Sequence, residues 1–158
     1  MKNIQNPFLS AQGYNCFGCS PENKEGLKLT FKTDNEYIYA DWLPEKKFEG
    51  YPGVLHGGIQ STLLDEIASW NVYALAGTGG VTAKIELKFK KPVPSNKGKI
   101  KLSSKIIDIN KKIAKMEVRL FSPEGNLCTH GHIDYFIFPP DYAQDKLLYP
   151  GKDKFYED

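Results

Sequence analysis

Between residues 57 and 76 the chain reads GGIQSTLLDEIASWNVYALA, with apolar positions recurring at helical spacing. Advanced by about 100° per residue, Ile59, Leu63, Ile67, Trp70 and Ala74 fall in one arc. Leu64, Ala68, Val72 and Leu75 fall in a second arc opposite the first. A helix apolar around most of its circumference is one that the protein encloses. Thr62, Asp65, Glu66, Ser69 and Tyr73 fill the narrow polar stripe that remains. Gly77, followed by Gly79-Gly80, supplies the stop.

Elsewhere the period is two. Leu27, Leu29 and Phe31 alternate with Lys28, Thr30 and Lys32, a turn follows at Asp34-Asn35, and Tyr37 to Leu43 completes a predicted hairpin. Residues 44–53, with two prolines and two glycines, read as a loop. After the helix, Val81, Ala83, Ile85, Leu87 and Phe89 form one predicted buried face, and Thr82, Lys84, Glu86, Lys88 and Lys90 the polar one. Alternation resumes at Ile100, Leu102, Ser104 and Ile106, with a phase slip at Ile106-Ile107 that predicts a bulge. Turns at Asn110-Lys111 and Pro123–Gly125 separate the strands around Ala114–Leu120 and Leu127–Phe138. Four consecutive strands with short turns predict an antiparallel meander. The expected class is α+β: an antiparallel sheet of about six strands wrapped around one long central helix, the hotdog architecture. We expect one domain over 1–158, with an irregular N-terminal segment (1–26) and a polar, acidic, peripheral tail (139–158).

Composition narrows the classes without choosing among them. The 158 residues are 41% hydrophobic and 25% charged, as in one ordinary soluble domain. No apolar run approaches the ~20 residues needed to span a bilayer, and the start lacks a secretory pattern. Three cysteines, unevenly spread, do not make a disulfide scaffold, so a cytoplasmic location without membrane attachment is expected. The net charge of +2 conceals an asymmetry: residues 81–119 hold 12 basic residues against three acids, a local +9 that leaves −7 elsewhere. All the basic residues but Arg119 are lysines, which disfavours the bidentate reading of bases. Lysines 84, 88, 90, 91, 97, 99, 101 and 105 remain candidates for attracting an anionic ligand; no nucleic-acid partner is expected.

Chemistry concentrates at the helix start. In Gly53-Val-Leu-His56-Gly57-Gly58, two glycines permit close backbone approach, and first-turn N–H groups lack intrahelical partners. They are natural donors to a developing oxyanion. Asp65 follows on the polar stripe, where partial desolvation makes a carboxylate more basic. Eight residues of helix separate it from Gly57, roughly 12 Å. Both cannot serve one carbonyl within one chain, so either they serve separate purposes or a partner subunit brings them together. A two-fold partner with its helix reversed would bring Asp65 of one subunit to the glycines of the other.

His56-Gly57-Gly58-Ile59 with Asp65, followed by Thr82-Ala-Lys-Ile-Glu-Leu-Lys-Phe-Lys-Lys-Pro92-Val93, resembles the hotdog acyl-CoA thioesterases of the 4-hydroxybenzoyl-CoA and phenylacetyl-CoA thioesterase superfamily. Cys16-Phe17-Gly18-Cys19-Ser20-Pro21-Glu22-Asn23 is similar to a segment in one branch of it, so the likeness covers most of residues 14–138. The resemblance implies hydrolysis of an acyl-CoA, with Asp65 as general base or nucleophile and the backbone of Gly58 and Gly57 polarising the carbonyl. It implies that His56 shapes the loop or touches substrate, and that Thr82 positions water. It implies homodimers, often paired into tetramers, and no cofactor beyond the coenzyme A of the substrate. One departure is Glu49-Gly50-Tyr51, where several members carry an Asn. A non-catalytic acyl-CoA-binding module on the same fold is the alternative; a dehydratase pairing of His56 with Asp65 is too distant within one chain.

Three further groups have bland readings. Glu66 is either a second acid or a salt-bridge partner. Cys16 and Cys19 make one CxxC, half of a zinc site, and are expected in a turn with thiols packed under the sheet edge. Cys128, His130 and His132 share one strand face, expected to meet solvent or a subunit interface. No metal is expected.

Overall fold

The computed structural model describes residues 1–156. Seven strands form one antiparallel sheet: β1 (Lys2–Ile4), β2 (Phe31–Thr33), β3 (Tyr37–Trp42), β4 (Gly80–Phe89), β5 (Ile100–Ile109), β6 (Ile113–Phe121) and β7 (Leu127–Ile137). Their order is β1-β2-β3-β5-β6-β7-β4. The sheet wraps helix α1 (Gly57–Asn71), whose last turn widens through Val72–Ala76 before Gly77 ends it at φ 80°. Leu63, Leu64, Ile67 and Ala68 of α1 are fully buried against Ile38, Leu102, Met116, Val118, Leu120 and Ile133 of the sheet. This is the hotdog fold.

The predicted β2–β3 hairpin is present. Asp34 Oδ1 accepts from the N–H groups of Glu36 and Tyr37, and Asn35 takes φ 76° in the turn. The slip at Ile106 is a bulge, since the β5–β6 register shifts between Ile106 and Asp108.

Four features differ from the sequence reading. There are seven strands rather than six, because Lys2–Ile4 pairs with β2 inside the segment expected to be irregular. Residues 27–30 are not strand, and Lys28 adopts φ 55°. The four-strand meander is a three-strand one. Strand β4 pairs with β7, not β5, because the proline-rich connection through Val93 and Pro94 crosses the molecule and bridges to Val54 and Leu55.

The tail, expected at the periphery, is packed in. Ala143, on the short helix α2 (Pro140–Lys146), and Phe155 are fully buried. Phe155 sits among Phe8, Trp70, Tyr73 and Tyr149. The end of the central helix needs acceptor partners, and the tail provides them. Tyr149 Oη donates to Tyr73 O, Tyr156 Oη to Ala74 O and Lys152 Nζ to Leu75 O. Among the described residues no helix is long and apolar enough to cross a membrane.

Candidate active site

The carboxylate of Asp65 is held by two hydroxyls. Thr82 Oγ1 donates to Oδ1 at 2.9 Å and lies 3.1 Å from Oδ2, and Tyr135 Oη donates to Oδ1 at 2.9 Å. Thr82 was expected on the outer, polar face. A register shift between Thr82 and Lys84 turns it inward, opposite Tyr135 on β7. The ring of Tyr135 is buried, yet its hydroxyl reaches both the side chain and the backbone oxygen of Asp65. Its only sequence signal was a polar tip on an inward position of β7. Burial raises the Asp65 carboxyl above its ordinary value, against the opposing pull of the Thr82 and Tyr135 bonds. Burial likewise raises Tyr135, which stays a donor.

The two residues that hold Asp65, Thr82 and Tyr135, border a cavity of about 430 Å³ lined also by Tyr14, Tyr73, Cys16 and Glu66 among others. Glu66 is the acid that sequence left without a role. It faces inward, and burial pushes its carboxyl up to about 8. Cys16, hydrogen-bonded chiefly by Cys19, is lowered to about 6. The two thiols pack against Glu66 on α1 rather than under the sheet edge.

The glycines lie at the other end of α1, on a second cavity of about 700 Å³. It is lined by His56, Gly57, Gln60, Tyr51, Phe89, Lys90 and Lys91 among others. His56 caps the helix: its Nδ1 accepts from Gly58 N–H at 2.9 Å, so its proton resides on Nε2. The Gly58 amide is thereby engaged, whereas Gly57 lines the cavity. A Cβ on Gly57 would stand 3.7 Å from Phe89 Cε1, so the end of β4 lies against this helix start. One chain therefore carries two separated groups: a carboxylate with its hydroxyls, and a helix N-terminus with its capping histidine.

The lysine-rich region is divided as well. Lys84 and Lys88 lie on β4 and Lys90 just past its end, whereas Lys101 and Lys105 lie on β5, with β6 and β7 between. Lys84 pairs with Glu86 and Lys105 with Glu36. Of the Cys128, His130 and His132 set, Cys128 is buried beside Pro92 O and His132 is exposed. Among the described residues the three do not converge as ligands.

A model of the thioesterase superfamily matches residues 52–129, from the loop before α1 through β6 into β7. Just under half of the chain thus matches the thioesterase superfamily. A thioesterase superfamily protein superposes with a TM-score of 0.69 at 19% identity, covering 77% of this chain and 62% of that one. This chain thus spans less than two thirds of that relative. A thioesterase from Haemophilus influenzae gives 0.63 at 22% identity, over 71% and 79% of the two chains. A hypothetical thioesterase from Streptococcus pneumoniae, solved with coenzyme A, gives 0.64 at 20% identity, over 69% and 84%. No curated protein matches significantly. At these identities the neighbours show the fold alone.

Proposed function

We propose that the protein hydrolyses acyl-CoA thioesters at sites completed by two copies of the chain. Water attacks the thioester carbon while Asp65 takes its proton. The tetrahedral oxyanion accepts a hydrogen bond from the Gly57 N–H of the partner subunit, and collapse expels the CoA thiolate, which is then protonated. Thr82 and Tyr135 keep the carboxylate aimed. The CoA-bound Streptococcus pneumoniae neighbour and a Streptococcus mutans neighbour bound to acetyl-CoA support the choice of ligand.

The observation that carries this reading is the state of β4. It is the last strand of the sheet, ten residues long, with Val81, Ile85 and Phe89 exposed at 48%, 43% and 52%. Such an edge is a template for another strand. If it pairs antiparallel with its own copy about a two-fold axis at Glu86, the extra residue between Thr82 and Lys84 brings Thr82 opposite Phe89 of the partner subunit. Thr82 marks the Asp65 half and Phe89 the Gly57 half, so one symmetric contact joins the halves twice. Lys90 and Lys91, on the Gly57 cavity, are then placed to meet the phosphates of coenzyme A.

The test is thiol release across an acyl-CoA panel, wild type beside Asp65→Asn. The expected loss is at least ~10²-fold with the fold intact; unchanged turnover removes Asp65 from the mechanism.

A further inference from the structure

One wall of the cavity bordered by Thr82 and Tyr135 is chemically unlike the rest. Cys16, Cys19 and Glu66 converge on it, each offering a ligating atom within 4.8 Å of the other two. Cys16 Sγ lies 3.5 Å from Glu66 Oε1. In a tetrahedral zinc site, Zn–S of about 2.3 Å and Zn–O of about 2.0–2.2 Å set neighbouring donors about 3.5–3.8 Å apart. The cluster needs a contraction of no more than about an ångström to reach that geometry.

The donors are held in place from several sides. Ser20 N–H donates to Cys16 O, Leu27 N–H to Phe17 O and Leu29 N–H to Gly18 O, which fixes the turn carrying the thiols. At Gly18 a Cβ would stand 2.4 Å from Glu66 Cδ and Oε2, so only glycine lets the turn close over the carboxylate. Trp70 Nε1 donates to Glu66 Oε1 at 3.2 Å, the kind of outer bond that orients a ligating carboxylate. Tyr14 Oη lies 2.7 Å from Cys19 Sγ.

Among the described residues, none of the ion pairs includes Glu66. An enclosed carboxylate beside two thiols is costly as an anion unless a cation compensates it. We propose that Cys16, Cys19 and Glu66 bind one thiophilic divalent cation, zinc by the donor set, with the fourth position open to the cavity. Two thiolates with one carboxylate select zinc over magnesium or calcium. The single CxxC hid this in the sequence, because the third donor comes from α1, 50 residues beyond Cys16. The ion ties the N-terminal segment to α1 and sets the shape of one cavity wall.

The experiment reads metal, not turnover, so its outcome is independent of thioester hydrolysis. Full-length protein purified under reducing conditions is incubated with zinc, desalted and assayed by elemental mass spectrometry; cobalt loading is followed by absorption. The expected result is one zinc per chain and sulfur-to-cobalt charge-transfer bands. The Cys16→Ser/Cys19→Ser variant loses both. Glu66→Gln keeps the sulfur bands but holds zinc at least about tenfold more weakly against a chelating dye. Circular dichroism establishes that each variant is folded. A reduced, folded wild type holding less than about a tenth of a zinc per chain overturns the proposal. So does undiminished zinc in the double-cysteine variant, or a Cys16–Cys19 disulfide forming in air in a protein that takes up no zinc when reduced.

Discussion

Strands β4 and β6 carry the same kind of alternation, and the fold uses them in opposite ways. In β6, Ala114, Met116, Val118 and Leu120 are all at 0% exposure, while every β4 residue except Gly80 and Leu87 is exposed. The cause is position. β6 has β5 on one side and β7 on the other, whereas β4 has only β7 and overhangs the end of the sheet. Alternation reports a pleated backbone; burial depends on what the tertiary structure lays over it. In this protein β6 serves stability, and β4 is the edge across which the proposed function has a second chain complete the site.

Truncation should separate the two strands most sharply. Leu120→Ala on β6 is expected to cost about 2–5 kcal/mol in urea unfolding, because it opens a cavity in a closed core. Ile85→Lys on β4 should leave the unfolding of the isolated chain within about 0.5 kcal/mol of wild type. The same substitution should convert a two-chain mass by light scattering to a one-chain mass, and lower hydrolysis at least ~10²-fold. A stable Ile85→Lys monomer with full turnover would mean that β4 has no part in the site. A smaller effect is expected at Tyr135. Tyr135→Phe removes one hydrogen bond to Asp65 and keeps the ring in the core, so kcat should fall roughly 3–10-fold with little change in Tm.

The same contrast explains what could be read from the chain in advance. The α1 span, the Asp34–Asn35 hairpin and the Ile106 bulge are local patterns, and all three are present. The partner of β4 is a long-range choice, made where the Val93–Pro94 segment crosses to Val54 and Leu55. The tail looked peripheral by polarity. Its aromatic residues, Tyr149, Phe155 and Tyr156, are the ones that close the end of α1. The roles resting on Asp65 follow the same rule. Its place on the polar stripe was legible, but the inward turn of Thr82 depends on one irregularity in the β4 ladder, and Tyr135 was hidden by its apolar ring. The Gly58 amide looked as available as that of Gly57 until the imidazole of His56 was seen to occupy it.

The central claim is that each site draws Asp65 from one subunit and the Gly57 N–H from the other, and mixed dimers test it directly. Gly57→Pro deletes that N–H with little disturbance. It is the first helical residue, where proline is tolerated, and His56 before it already has φ −59° and ψ 135°. Asp65→Asn and Gly57→Pro chains should each be nearly inactive alone. Unfolded together and refolded in equal amounts, they should recover roughly a quarter of wild-type thiol release, since half the dimers then hold one intact site of two. Recovery no greater than the sum of the two parents would contradict a site shared across the β4 edge.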